Sequence, residues 1–192
     1  MLLRALALML CVWVANASAA DSALALKAGV FDPPRAAPDF TLQRSNGQPL
    51  TLRDFRGKIV ILGFGFTSCP DVCPTTLGVL AQAHKKLGAQ GEDVQVVYIT
   101  VDPERDTPER MHAYLKSFDP SFIGGTGSAE QLAAVRKEYG IQANRKQFGQ
   151  NYTFGHSSFI YLIDRKGLLR ALMPYGHSPD DYVHDAKLLL AQ

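Results

Sequence analysis

Two thiols four residues apart, Cys69 and Cys73 in Cys-Pro-Asp-Val-Cys-Pro, follow directly on the apolar run Ile59 to Phe66. A strand ending in a loop that opens a helix would put both sulfurs at one edge of a sheet, beside a helix N-terminus. Free N–H groups and the positive end of the helix dipole there favour a thiolate, as ligand or as nucleophile. Four residues of helix turn the side chains by only ~40°, so the sulfurs project to the same side, one turn apart. Regular helix would hold the two Cα atoms about 6 Å apart, towards the long end of disulfide geometry. A shared metal ion and a bridge are therefore both open. A peroxidatic site fits poorly: Thr67 stands two residues before Cys69, and the upstream proline, with Thr three residues before the cysteine, is missing.

A metal held by two thiolates wants a third ligand, and five histidines compete. His84 and His112 fall inside helical patterns, His84 in line with apolar positions and so a core or boundary residue. His177 and His184 flank or lie on the last helical segment, where solvated or capping roles are the default. His156 immediately precedes the strand-like run Ser157 to Ile163. If that strand runs antiparallel to residues 59–66, it begins at the edge where they end, and His156 joins Cys69 and Cys73; otherwise it is an ordinary loop histidine. Two soft thiolates and an imidazole suit Cu(I) and also hold Cu(II), whereas a structural zinc usually takes four protein ligands. Asp71, between the cysteines, and Asp102, after the second apolar run, are candidates to hydrogen-bond the ligands from the same edge. A solvated turn is the competing role for Asp71 and the default for Asp102, because Asp-Pro is an ordinary turn pair.

The elements that must position these residues are read from pattern. Phe40–Gln43 and Pro49–Leu52 flank the turn signal Ser45-Asn46-Gly47, which predicts a short β-hairpin. Residues 59–66 are apolar throughout and read as a strand covered on both faces. A helix from Pro74 to about Gly88 and a second buried strand, Val94 to Val101, complete a right-handed parallel unit. Thr107-Pro108 starts a helix reaching about Phe118, and Ser128 to Tyr139 forms another. Ser157 to Ile163 turns through Asp164-Arg165-Lys166-Gly167 into Leu168 to Met173, an antiparallel pair, and Ser178-Pro179 caps a last helix ending near Leu190. The prediction is an α/β fold with a mixed central sheet, helices on both faces and an N-terminal β-hairpin, in one domain over residues 38–192.

Arg4 supplies one positive charge, Ala5 to Val14 is an apolar run of ten, and Ala15 to Ala20 offers small residues at cleavage spacing. Residues 1–20 thus read as an export signal. The run is short for a transmembrane helix, which needs ~20 apolar residues, though a retained N-terminal anchor is the alternative. Cys11 lies in this run after Leu10, so it leaves with the signal and is no lipoprotein cysteine. Residues 21–37, with Pro33 and Pro34 among small residues, read as a flexible lead-in. The chain beyond the signal, about 170 residues, suits one domain. Its charges nearly cancel, since only Arg4 is lost from 20 Lys and Arg against 18 Asp and Glu. Nucleic acid and anionic membrane surfaces therefore have no electrostatic claim on it. A bridge between residues 69 and 73 would close almost no loop, so chemistry explains the cysteines better than stapling does.

Three stretches, Phe66 to Pro74, Tyr98 to Pro108, and Gly155-His156-Ser157-Ser158 with Tyr161 to Asp164, resemble the Sco/SenC family of copper-binding assembly proteins. The likeness runs in the same order from about Pro38 to the C-terminus. It implies a thioredoxin-like fold, copper held by Cys69, Cys73 and His156, and a role in maturing the dinuclear copper centre of cytochrome c oxidase. An oxidase subunit would be the client, and a thiol reductant protein would keep the cysteines open. Two features depart from the family pattern: Gly155 stands where many relatives carry Asp, and the N-terminus looks cleavable where many keep a membrane anchor. The expected location is the periplasm after export, or the inner membrane facing it, with membrane contact only through the client or a retained N-terminal segment. The competing function is a thiol–disulfide oxidoreductase using Cys69 and Cys73 as its redox pair. Both share one fold, so the fold does not choose between them.

Overall fold

In the computed structural model, which describes residues 25–192, the chain opens with strand β1 (Gly29–Ala36) and the hairpin β2 (Thr41–Arg44) and β3 (Pro49–Thr51). The expected export signal over residues 1–20 lies outside the described residues. Strand β4 (Ile59–Gly65) is buried at every position, as its unbroken apolarity requires. Helix α1 (Val72–Leu87) comes next and buries Leu77, Leu80, Ala83 and Leu87 along one stripe. Each such leucine contributes about 1.5–3 kcal/mol by leaving water. Strand β5 (Val94–Thr100) then lies parallel to β4, Ile59 opposite Val94 and Gly65 opposite Thr100.

Helix α2 (Pro108–Lys116) starts where the Thr107 side chain accepts the Arg110 N–H, with proline in the first turn where no donor is needed. Strand β6 (Ile123–Thr126) joins the sheet parallel to β5, and α3 (Ala129–Glu138) begins in a Ser128–Gln131 capping box. The ribbon β7 (Ala143–Phe148) and β8 (Asn151–His156) precedes strands β9 (Ile160–Ile163) and β10 (Leu168–Met173) and helix α4 (Pro179–Leu190).

The eight-stranded sheet runs β1-β10-β9-β4-β5-β6-β2-β3, and β7–β8 pair only with each other. Strand β9 is antiparallel to β4, with Gly63 opposite Ile160, so it begins at the edge where β4 ends. The central order β10-β9-β4-β5 with α1, α3 and α4 is that of a thioredoxin-like domain. Alternation along β4 assigns the faces. An added Cβ at Gly63 or Gly65 would run into Tyr98, and at Gly65 it would also stand 2.8 Å from the Cys73 sulfur. That face belongs to α1, with α4 packed beside it, and to α2, whose Met111 and Leu115 close over Gly124 next to Tyr98. Phe64 points the other way, its ring centroid 5.7 Å from that of Tyr139 at the end of α3.

The structure corrects three expectations. Residues 29–36 are not a flexible lead-in but the edge strand β1, paired antiparallel with β10. Pro33 and Pro34 fall where the register shifts between Val30 and Arg35, so their missing N–H groups cost no ladder bond. The domain also includes residues before 38, because the N–H groups of Lys27 and Ala28 donate to the buried Asp185 carboxylate at 2.7 and 3.0 Å. Strands β6 and β7–β8 were not legible: β6 is Ile-Gly-Gly-Thr, and β7 is polar and almost wholly exposed, so neither shows the alternation of a half-buried strand.

Candidate metal centre

Beyond β4 the chain runs through buried Phe66 and the half-buried Thr67, Ser68 and Cys69 before α1 begins at Val72. Cys73 thus sits in the first turn of α1, and Cys69 lies in the loop before it rather than on the helix. Asp71 is the N-cap residue but its side chain makes no capping bond. The Cys69 Sγ instead accepts the Cys73 backbone N–H at 3.5 Å, a sulfur in the place of the usual capping oxygen.

His156 ends β8, four residues before β9. Its Nε2 lies 3.4 Å from the Cys73 Sγ, and its Nδ1 is 2.8 Å from the Ser157 carbonyl oxygen. A carbonyl only accepts, so Nδ1 carries the proton and the Nε2 lone pair faces the sulfurs. The Phe66 ring sits edge-on to the imidazole at 5.9 Å. One donor atom from each of Cys69, Cys73 and His156 lies within 4.8 Å of the other two. The antiparallel direction assumed for β9 is the one found, and it brings His156 to the thiols.

The electrostatics differ from the expectation drawn from the helix N-terminus. Burial, reinforced by the contact with Cys69, pushes the Cys73 thiol up to about 12, outweighing the hydrogen bonds with Phe66 and Tyr98 that would lower it. Burial also lowers the His156 pKa, which keeps the imidazole neutral at pH 7. The three donors are therefore a buried thiol, a half-buried thiol and a neutral imidazole. That donor set fits a soft ion that displaces the protons on binding, and copper foremost.

The other histidines stay away from this cluster. His84 bridges Asp119 and the Gly91 carbonyl oxygen, each at 3.0 Å, as a boundary residue. His112 is exposed, while His177 and His184 lie beside Asp181 and Asp185. Asp71 is exposed and touches no ligand. Asp102 is not a solvated turn residue: it is fully buried and accepts from Arg105 Nε at 2.5 Å and from the Tyr152 hydroxyl at 2.9 Å. It makes no hydrogen bond to Cys69, Cys73 or His156. Sequence reasoning gave no role to Tyr98, which is buried beside Cys73; its place in an apolar run reads as core.

Residues 31–191 match the family described as SCO1/SenC. The chain belongs to the SCO1/SenC family. The mouse (Mus musculus) protein SCO2 homolog, mitochondrial, is 40% identical over 157 residues, which cover 80% of this chain and 62% of that protein. A SCO2-like protein of Rickettsia felis is 40% identical over 132 residues, covering 67% and 64%. The match thus spans less than two thirds of the length of these relatives. Among solved structures, Arabidopsis thaliana ScoI with copper bound is similar at TM-score 0.76 and 35% identity, over 82% of this chain and 99% of that one. Bradyrhizobium japonicum ScoI with copper bound gives TM-score 0.75 at 35% identity, over 81% and 99%. Within this SCO1/SenC domain, Gly155 is not demanded by crowding, since an added Cβ would meet only the Lys146 side chain, at 3.7 Å.

Proposed function

We propose that this SCO1/SenC protein is a copper carrier in which Cys69, Cys73 and His156 hold one ion, as Cu(I) or Cu(II), and pass it to a copper-site client. The observation that carries this reading is the convergence of two thiols and an imidazole Nε2 within 4.8 Å. The copper-bound states of two structural relatives support it. Copper is cargo here, exchanged from ligand to ligand. Cys73 yields its proton as the ion arrives, His156 offers a lone pair already aimed by its bond to Ser157, and half-buried Cys69 is where a recipient's ligand first reaches the ion.

The client we favour is an oxidase subunit, because a structural relative is described as a member of the Sco family of cytochrome c oxidase assembly proteins. A thiol reductant protein would keep the pair open, and the site of action would be the periplasm, free or tethered at the inner membrane. No helix among the described residues is long and apolar enough to cross a membrane.

A second reading uses the same two free thiols as a reductant. Cys69 and Cys73 would form a disulfide while a client disulfide is reduced to two thiols, electrons and protons balancing across the exchange. Anaerobic copper titration of the reduced protein separates the two readings. The carrier binds one equivalent with a sulfur-to-copper charge-transfer band that His156→Ala alters and either Cys→Ala variant abolishes. A pair that reduces client disulfides equally well in His156→Ala, and binds copper no better with the imidazole than without it, would make the protein a reductase.

A further inference from the structure

The turn after β5, Asp102-Pro103-Glu104-Arg105-Asp106, bonds to both segments that carry the metal-site residues. Towards the thiols, the fully buried Asp106 carboxylate accepts the Thr67 N–H at 3.0 Å, the Thr67 hydroxyl at 2.5 Å and the Thr100 hydroxyl at 2.6 Å. Arg110, one turn further on, donates to the Thr67 and Ser68 hydroxyls at 2.7 and 2.9 Å. Thr67 and Ser68 are the two residues before Cys69. Towards the imidazole, Asp102 accepts from Tyr152, and Arg105 donates to the Tyr152 carbonyl oxygen at 3.2 Å. The guanidinium groups of Arg105 and Arg145 lie 3.9 and 3.6 Å from the Tyr152 ring centroid, and Arg145 reaches Glu104 of the same turn at 2.7 Å. Tyr152 is four residues before His156 on β8.

The ribbon β7–β8 makes no ladder with the main sheet. A two-stranded ribbon is marginal by itself, so its position depends on side-chain anchors. Those anchors are the Tyr152 cluster and Phe154, whose ring packs 5.8 Å from Phe66. We infer that the Asp102–Asp106 turn is a positioning device that sets the spacing between thiols and imidazole, Asp106 acting through Thr67 and Asp102 with Arg105 acting through Tyr152. These are positioning residues, and the inference rests on the metal-centre reading above.

The test pairs Tyr152→Phe, which keeps the ring and removes the bond to Asp102, with Asp102→Asn, each alone and combined with His156→Ala. Cu(II) affinity by competition, electron paramagnetic resonance, and hydrogen exchange of the Ala143–His156 amides in the metal-free protein are the readouts. The expected result is Cu(II) binding weakened on the order of tenfold in each single variant, with an altered nitrogen hyperfine pattern. Ribbon exchange should be faster, and neither variant should weaken binding further once His156 is alanine. The positioning role is overturned, with the metal reading intact, if Tyr152→Phe loses the same affinity with and without the imidazole, or changes neither affinity nor ribbon exchange. Wild-type copper affinity in His156→Ala alone would instead remove the metal reading, and the positioning role with it.

Discussion

The Nε2 of His156 stands 3.4 Å from the Sγ of Cys73, although 83 residues separate them in the chain. The contact joins a residue in the first turn of α1 to the last residue of a ribbon outside the main sheet. It depends on β9 running against β4, which returns the chain to the edge that the thiols occupy.

Copper binding should release the Cys73 proton. Burial raises this thiol to about 12, so it is protonated throughout the range from pH 6 to 9, and a bound ion must displace that proton. Apparent affinity should therefore rise with pH, by about tenfold per unit from this thiol alone. Competition titrations at several pH values check the slope; an affinity independent of pH would contradict it.

Gly65→Ala should damage both the fold and the site. The new methyl would overlap the Tyr98 hydroxyl and crowd the Cys73 sulfur at 2.8 Å, and Tyr98 is too enclosed to move aside. Overpacking of this kind costs about 1–3 kcal/mol, readable as a lower urea midpoint. Copper affinity should fall in the same variant.

Acid should weaken the link between α1 and the chain after α2. Burial alone would raise the Asp119 pKa, but hydrogen bonds from Ser121 and the interaction with His84 outweigh it, and the net shift is downward. A carboxyl depressed in the folded state stabilises fully above its unfolded value near 4, and that contribution disappears as pH falls through the folded value. Asp119→Asn should cost about 1 kcal/mol at pH 7 and flatten the acid limb of a stability profile, measured by denaturation from pH 7 to 3.

Asp185→Ala should release the segment that leads into β1. Its buried carboxylate accepts the N–H groups of Lys27 and Ala28 and holds them against α4. Leaving those donors unpaired costs about 1–3 kcal/mol. Limited proteolysis should cut within residues 25–36 in the variant while sparing the wild type, and equal resistance would count against the anchor.

Much of the fold was legible because β4, β5 and β9 are apolar runs and α2, α3 and α4 carry Thr107, Ser128 and Ser178 as caps. Cys69 and Cys73 were legible from spacing, and His156 from its place before a strand, given a direction for that strand. Three things were hidden for physical reasons. The β7–β8 ribbon has no buried face to impose a period, and its hold on the domain comes from Tyr152, which pattern alone marks as an ordinary surface aromatic. Asp102 reads by default as a turn residue and nothing in the pattern singles out Asp106, because burial of a carboxylate depends on donors from distant segments, Tyr152 and Thr67. The high Cys73 pKa depends on packing depth under α1, whereas spacing reports only nearness to a helix end.

The two rims of the eight-stranded sheet have one property in common. On one side β1 carries Pro33 and Pro34 across its register shift; on the other β3 is three residues long and begins with Pro49. Neither rim presents a continuous row of unpaired amide donors, so another chain has no template on which to add a strand. Oxidative or thermal stress that leaves the sheet intact should therefore not seed fibrils through these two borders, and contacts between copies made there would run through side chains.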